Sequence, residues 1–123
     1  MSRKLILHVE DNEYNRKIIR DLLSKNSYEI MEAHNGEAAL EALAGQRPDL
    51  ILMDVQLPKL SGLEATRRIR ANPLLAEIPV IAITSFALNG DDRLAFEAGC
   101  NAYITKPFSP RDLLEMIRRF LGS

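Results

Sequence analysis

Short apolar runs punctuate the chain, and most of them stop abruptly at a polar or charged residue. Leu5 to Val9 runs into Glu10 and Asp11, and Asp49-Leu50-Ile51-Leu52-Met53 into Asp54. Pro79-Val80-Ile81-Ala82-Ile83 ends at Thr84, and Ala102-Tyr103-Ile104 at Thr105-Lys106-Pro107, while a weaker alternating stretch covers Tyr28 to Ala33. Runs without alternation suit strands covered on both faces, as in a parallel sheet. Between them the period becomes helical. Ile18, Ile19, Leu22 and Leu23 mark a first helix, Ala39, Leu40 and Leu43 a second, and Leu63, Thr66, Ile69 and Arg70 a third. Leu88 to Ala98 predicts a fourth, with Gly99 at its C-cap. The last helix has the strongest start: Ser109 can cap, Pro110 loses nothing by lacking an N–H there, and Asp112 complements the positive end of the dipole. Its apolar stripe is Leu113, Ile117, Phe120 and Leu121.

Strand and helix thus alternate five times, which predicts an α/β fold with a right-handed, doubly wound parallel sheet and helices on both faces. No linker, repeat or low-complexity tract interrupts the pattern, so residues 1–123 read as one domain with no second, output domain. The length of 123 residues and the 46% hydrophobic content agree with that size of core.

Charge narrows the function classes. Sixteen Lys and Arg against 17 Asp and Glu leave a net charge of -1, so the chain lacks the general attraction to nucleic acid or anionic membrane that a basic protein would have. Cys100 is the only cysteine and can form no internal disulfide. The Met1-Ser2-Arg3-Lys4 start leads into an apolar stretch too short for a signal peptide, and a cytoplasmic location is the expectation.

In an open α/β sheet the working site lies beyond the carboxyl ends of the strands. Glu10, Asp11, Asp54, Thr84 and Lys106 should therefore converge. Crowded carboxylates repel unless a cation neutralises them, and an all-oxygen donor set favours Mg²⁺ over metals that prefer His or Cys. An acid at such a centre can attack phosphorus and form an aspartyl phosphate, with Lys106 stabilising the transferring oxygens and Thr84 donating a hydrogen bond. Taken singly, each residue has a plainer role: Asp54 as a turn or cap, Glu10-Asp11-Asn12 as a capped helix start, Lys106 as a solvated charge. Their joint placement at the strand ends favours the chemical reading.

Four separated motifs then carry a family resemblance. They are Val9-Glu10-Asp11-Asn12, Leu52-Met53-Asp54-Val55-Gln56-Leu57-Pro58 with Ser61-Gly62, Ile83-Thr84-Ser85-Phe86-Ala87, and Gly99-Cys100-Asn101-Ala102-Tyr103-Ile104-Thr105-Lys106-Pro107. Over essentially its whole length the chain resembles the receiver domain of two-component response regulators, most closely the stand-alone single-domain ones and the receivers of hybrid kinases. The resemblance implies a flavodoxin-like, CheY-like fold with five helices and five strands in the order 2-1-3-4-5. It implies that Asp54 accepts a phosphoryl group from a sensor histidine kinase or histidine phosphotransfer protein. Glu10, Asp11, Asp54 and the backbone carbonyl of Gln56 would hold Mg²⁺, Lys106 would bind the phosphoryl group, and Thr84 and Tyr103 would form the switch. Lys106-Pro107 would be cis. Such a chain is no enzyme beyond its own phosphorylation and slow self-dephosphorylation. Its output would be phosphorylation-dependent binding of a downstream protein by the fourth helix, fifth strand and fifth helix, a face also suited to a homodimer. The first helix, with Asn15 and Arg16 as exposed positions, would dock the kinase.

Two positions depart from the family pattern: Glu10 replaces the commoner aspartate and reaches farther, and His8 replaces an aliphatic residue. His8 reads as a partly buried, hydrogen-bonded histidine rather than a pH sensor. Cys100 reads as a small buried hydrophobe, and Arg67, Arg68, Arg70, Arg118 and Arg119 as solvated helix faces. His34 falls in a loop and carries no motif. Rival functions fare worse. An aspartyl-phosphate phosphohydrolase needs a second acid two residues after its nucleophile, where this chain has Gln56. A nucleotide-binding protein would show a Gly-x-Gly-x-x-Gly or P-loop sequence, and none occurs. A scaffold that had lost phosphotransfer would not retain the complete set of acids, hydroxyl and lysine.

Overall fold

Ten elements alternate along the chain: β1 (Leu5–Val9), α1 (Glu13–Lys25), β2 (Glu29–Ala33), α2 (Gly36–Gly45), β3 (Leu50–Asp54), α3 (Gly62–Ala71), β4 (Val80–Thr84), α4 (Asp91–Ala98), β5 (Ala102–Thr105) and α5 (Pro110–Leu121). The computed structural model describes residues 3–57, 60–85 and 91–122, with 91 and 92 described by their backbone alone. All strand pairs are parallel and the sheet order is β2-β1-β3-β4-β5, as the resemblance implied.

The apolar runs are explained by which side of the sheet each residue meets. Leu7, Val9, Ile51, Met53, Val80 and Ala82 pack with Ala39, Leu43, Ala65, Ile69 and Ala95 from α2, α3 and α4. Their neighbours Ile6, Leu50, Leu52, Ile81, Ile83 and Ile104 pack on the other face with Ile19, Leu23, Leu113, Leu114 and Ile117 from α1 and α5. Because successive strand residues point to opposite faces, a sheet covered on both sides has no solvent-facing register for polar residues.

Strands β3 and β4 begin and end one residue later than their apolar runs. The ladder continues through the hydrogen bond from the Val55 N–H to the Ile83 carbonyl, which brings Asp54 opposite Ile83. Asp49 stays outside because its carboxylate accepts the Leu5 N–H at 2.8 Å and closes the start of the sheet. Helix starts follow their caps: Asn12, Asn35, Ser61 and Ser109 each accept the N–H of the residue three positions on. Leu88 to Gly90, the expected start of the fourth helix, lies outside the described residues. Its end is as expected: Gly99 adopts φ 110°, a conformation glycine tolerates at a helix C-cap.

Arg70 corrects the sequence reading. Instead of facing solvent, its guanidinium donates to the carbonyls of Gly99 (2.8 Å), Ala76 (3.0 Å) and Ile78 (2.8 Å) and to Asn101 Oδ1 (2.7 Å). It lies near the end of α3, within reach of the segments entering β4 and β5, so three orphan carbonyls become its acceptors. Arg67 and Arg68 are exposed, both ion-paired with Glu64, and Arg118 and Arg119 are exposed as well.

Candidate functional site

The carboxyl ends of β1 and β3 are neighbours in the sheet, and this adjacency gathers the acids. Glu10 follows β1 directly, because its N–H pairs with the Ala33 carbonyl and carries the strand path one residue past Val9. Asp54 is the last residue of β3. One carboxylate oxygen each from Glu10, Asp11 and Asp54 lies within 4.8 Å of the others, with Glu10 and Asp54 buried and Asp11 exposed. Three hard oxygen donors, one of them open to water, suit a small divalent cation that keeps part of its hydration shell, as Mg²⁺ does.

Lys106 arrives from the far side of β4. The Lys106 N–H donates to the Thr84 carbonyl at 2.7 Å, beside the Thr84 and Thr105 pairing of β4 and β5. From there the ammonium donates to Glu10 Oε1 at 3.0 Å and stands 3.8 Å from Asp54 Oδ2. The Lys106-Pro107 peptide is cis. Thr84 is buried, and strand alternation puts it and Tyr103 on the face covered by α3 and α4. The Tyr103 ring meets Phe96 of α4 edge to face, with centroids 6.1 Å apart. Gln56 donates its N–H to Asp54 Oδ1 at 2.9 Å. Phe86 and Ala87, part of the third motif, and Pro58, part of the second, lie outside the described residues.

Burial and crowding set the charge states. Burial pushes the Asp54 carboxyl up, and the Glu10 charge adds to that against the Gln56 N–H and Lys106, so it rises to about 6. Glu10 is also penalised by burial. The Lys106 hydrogen bond and charge, together with the Asn12 N–H, outweigh that penalty and hold it below the usual carboxylate range. His8 is only 1% exposed, and burial lowers it to about 4 against the pull of Glu10 and Glu32. Its Nδ1 has no hydrogen-bond partner among the described residues, which corrects the reading of a satisfied, partly buried histidine. His8 shares its face of β1 with Ile6 and lies opposite Leu52 on one side, and on the other opposite Glu32, whose carboxylate is taken by the Arg20 guanidinium.

Some site contacts were missed from the sequence. Arg16 is half-buried, and its guanidinium donates to the Glu10 carbonyl at 2.7 Å, so it braces the acid loop instead of standing free on α1. Asn15 is also half-buried. Gly62 packs so close to Asp54 that a Cβ there would lie 2.0 Å from the Asp54 carbonyl oxygen. A glycine eight residues past the strand-terminal acid was the available signal. Cys100 is buried as expected, with Sγ 3.9 Å from Thr66 Oγ1, and burial pushes its thiol up.

Comparisons with known proteins agree with this geometry. The sequence model described as "response regulator receiver domain" matches residues 6–118. The polar-differentiation response regulator DivK of Brucella anthropi is 47% identical over 119 residues, covering 97% of either chain. Among solved structures, the receiver domain of the sensor histidine kinase PA1611 from Pseudomonas aeruginosa superposes with a TM-score of 0.91 at 39% identity, over 99% of this chain and 100% of that one. It holds a magnesium ion in its active-site cleft. A putative response regulator from Chloroflexus aurantiacus superposes with a TM-score of 0.94 at 30% identity, over 99% and 100% of the two chains.

Proposed function

The chain belongs to the response regulator receiver family, and from that premise we propose that it takes a phosphoryl group on Asp54 in a Mg²⁺-dependent reaction and signals through the resulting change of surface. It is a phosphoacceptor switch of a two-component system, not an enzyme, and a histidine kinase is the partner class expected of it. The observation that carries the reading is the buried Asp54 carboxylate, grouped with two further acids and 3.8 Å from the Lys106 ammonium.

In the proposed reaction an Asp54 oxygen forms a bond to phosphorus as the P–N bond of a donor phosphohistidine breaks. The electron pair leaves on the imidazole nitrogen, which takes up a proton. Glu10, Asp11, Asp54 and the Gln56 carbonyl are the proposed Mg²⁺ ligands. When bound, the ion supplies the positive charge that lets an anionic nucleophile meet an anionic phosphoryl group. Lys106 would pair with the phosphoryl oxygens, and the Thr84 hydroxyl would donate to them. Tyr103 shares the face of Thr84, so a shift of the threonine would change the packing beneath α4.

The proposed kinase or phosphotransfer docking face is α1. Ile18 is 45% exposed at a cleft of about 310 Å³ also lined by Ile19, Pro107 and Phe108, which offers an apolar anchor beside the acids. For output we propose α4, β5 and α5, where Leu94 and Phe96 are exposed, as the surface for a downstream protein or a second copy of the chain. No helix among the described residues is long and apolar enough to cross a membrane, and we place the chain in the cytoplasm, where such regulators work.

Incubation with Mg²⁺ and acetyl phosphate, followed by intact-mass measurement, tests the central reading. One added phosphoryl group is expected, and Asp54→Asn should abolish it. Repeated release of phosphate over many equivalents, or labelling that persists in Asp54→Asn, would overturn the assignment.

A further inference from the structure

Glu10 has both of its carboxylate oxygens in hydrogen bonds among the described residues. Its Oε1 accepts from Lys106 Nζ at 3.0 Å and its Oε2 from the Asn12 N–H at 3.2 Å. Asp54, by contrast, has Oδ1 on the Gln56 N–H at 2.9 Å, and its Oδ2 is 3.8 Å from Nζ, beyond hydrogen-bond length. The lysine expected to serve the phosphoryl group on Asp54 is therefore tied more closely to Glu10. The tie depends on length, because an aspartate at position 10 would end one methylene short of the place where Glu10 meets the ammonium. Glu10 is 2% exposed, so its carboxylate has little room to serve Lys106 and a metal ion from separate positions.

An oxygen that accepts from an ammonium offers that lone pair less well to a divalent cation, and the two positive charges repel at this range. We propose, on the basis of the phosphoacceptor reading, that Glu10 is a positioning residue for which Lys106 and Mg²⁺ compete, so that binding the ion releases Lys106 from Glu10 toward Asp54. The lysine is then delivered to the phosphoacceptor when the cation needed for transfer is in place. By reciprocity, Lys106 must weaken Mg²⁺ binding, and it must do so through Glu10.

A double-mutant cycle on Mg²⁺ affinity, measured by titration calorimetry, separates this exchange from simple charge repulsion. Lys106→Met should tighten Mg²⁺ binding about tenfold in the otherwise unchanged chain. In a Glu10→Asp background, which keeps the negative charge but shortens the arm, the same substitution should gain about threefold or less. Equal gains in both backgrounds would overturn the proposal, because the lysine would then act only as a distant charge. A second readout is the side-chain NMR signal of Lys106, which should move on Mg²⁺ addition in the unchanged chain and much less in Glu10→Asp. A signal that stays put in the unchanged chain would also overturn it. Normal Mg²⁺ binding with equal gains sinks only the exchange, whereas no Mg²⁺ binding at all sinks the reading of the site as well.

Discussion

The two ends of the sheet treat charge in opposite ways. At the amino ends of β4 and β5, the Arg70 guanidinium meets three backbone carbonyls and the Asn101 side chain, each at 3.0 Å or less. At the carboxyl ends, three acids share one nearby ammonium among the described residues, which sits at 3.0 Å from one of them and 3.8 Å from another. One end is satisfied by the fold alone. The other is left electrostatically short, with the Asp54 carboxyl pushed up to about 6 and His8 Nδ1 without a partner among the described residues. The lesson is that saturation marks a structural polar group, whereas competition among too few partners marks a site prepared for a ligand.

Three measurements can break or sharpen this contrast. The largest effect is expected at the saturated end. Arg70→Ala strips the donors from three carbonyls and Asn101, and should lower unfolding stability in urea by about 4 kcal/mol while leaving one phosphoryl group per chain attainable with acetyl phosphate. A loss under about 1 kcal/mol would mean that water replaces the guanidinium easily, and the contrast between the ends would fail.

His8 comes next and acts through pH. Its folded value of about 4 lies below the 6.5 of an unburied imidazole, so the unfolded chain takes up a proton first as pH falls. The stability that neutral His8 permits is complete above pH 6.5 and is lost as pH drops toward 4, by roughly 3 kcal/mol in all. His8→Leu should flatten the stability profile across that window, and an unchanged slope would show that other groups set it.

Asp54 should show the smallest effect, with the opposite sign. Its folded value of about 6 lies above the ordinary 3.8, so its ionised form burdens the folded state above pH 6, and the burden disappears as pH falls toward 3.8. Asp54→Asn should therefore stabilise the chain at pH 7 by up to about 3 kcal/mol, a little less than the His8 effect because the shift is smaller, and the gain should vanish near pH 4. Destabilisation at pH 7 would show that Lys106 already repays the cost of the buried charge.

Much of this arrangement was legible in residue order. The runs ending at Glu10, Asp54 and Thr84 located three strands to within a residue, because a doubly covered strand leaves a continuous apolar trace. The Ser109-Pro110 start of α5 was legible for a local reason: a cap and its first turn are neighbours in the chain. Arg16, Arg70 and His8 were misread because their partners are distant or inaccessible to periodicity. A charged residue on a helical period looks solvated until the carbonyls of Gly99 and Ile78 are seen beside it. His8 looked satisfiable until Leu52 was seen on one side of it and, on the other, a Glu32 carboxylate already held by Arg20.

What residue order determined by itself was local and periodic: which segments are strands or helices, where the caps fall, and which polar residues end the strands. Tertiary structure alone decided at what distance those ends meet and which groups they bind there. Bringing Lys106 to 3.0 Å from Glu10, 96 positions away, requires parallel strands in a particular order and a helix layer on each face. Propensity acts over a few residues, whereas the energy of a buried charge depends on every group packed within several ångströms, whatever its place in the chain.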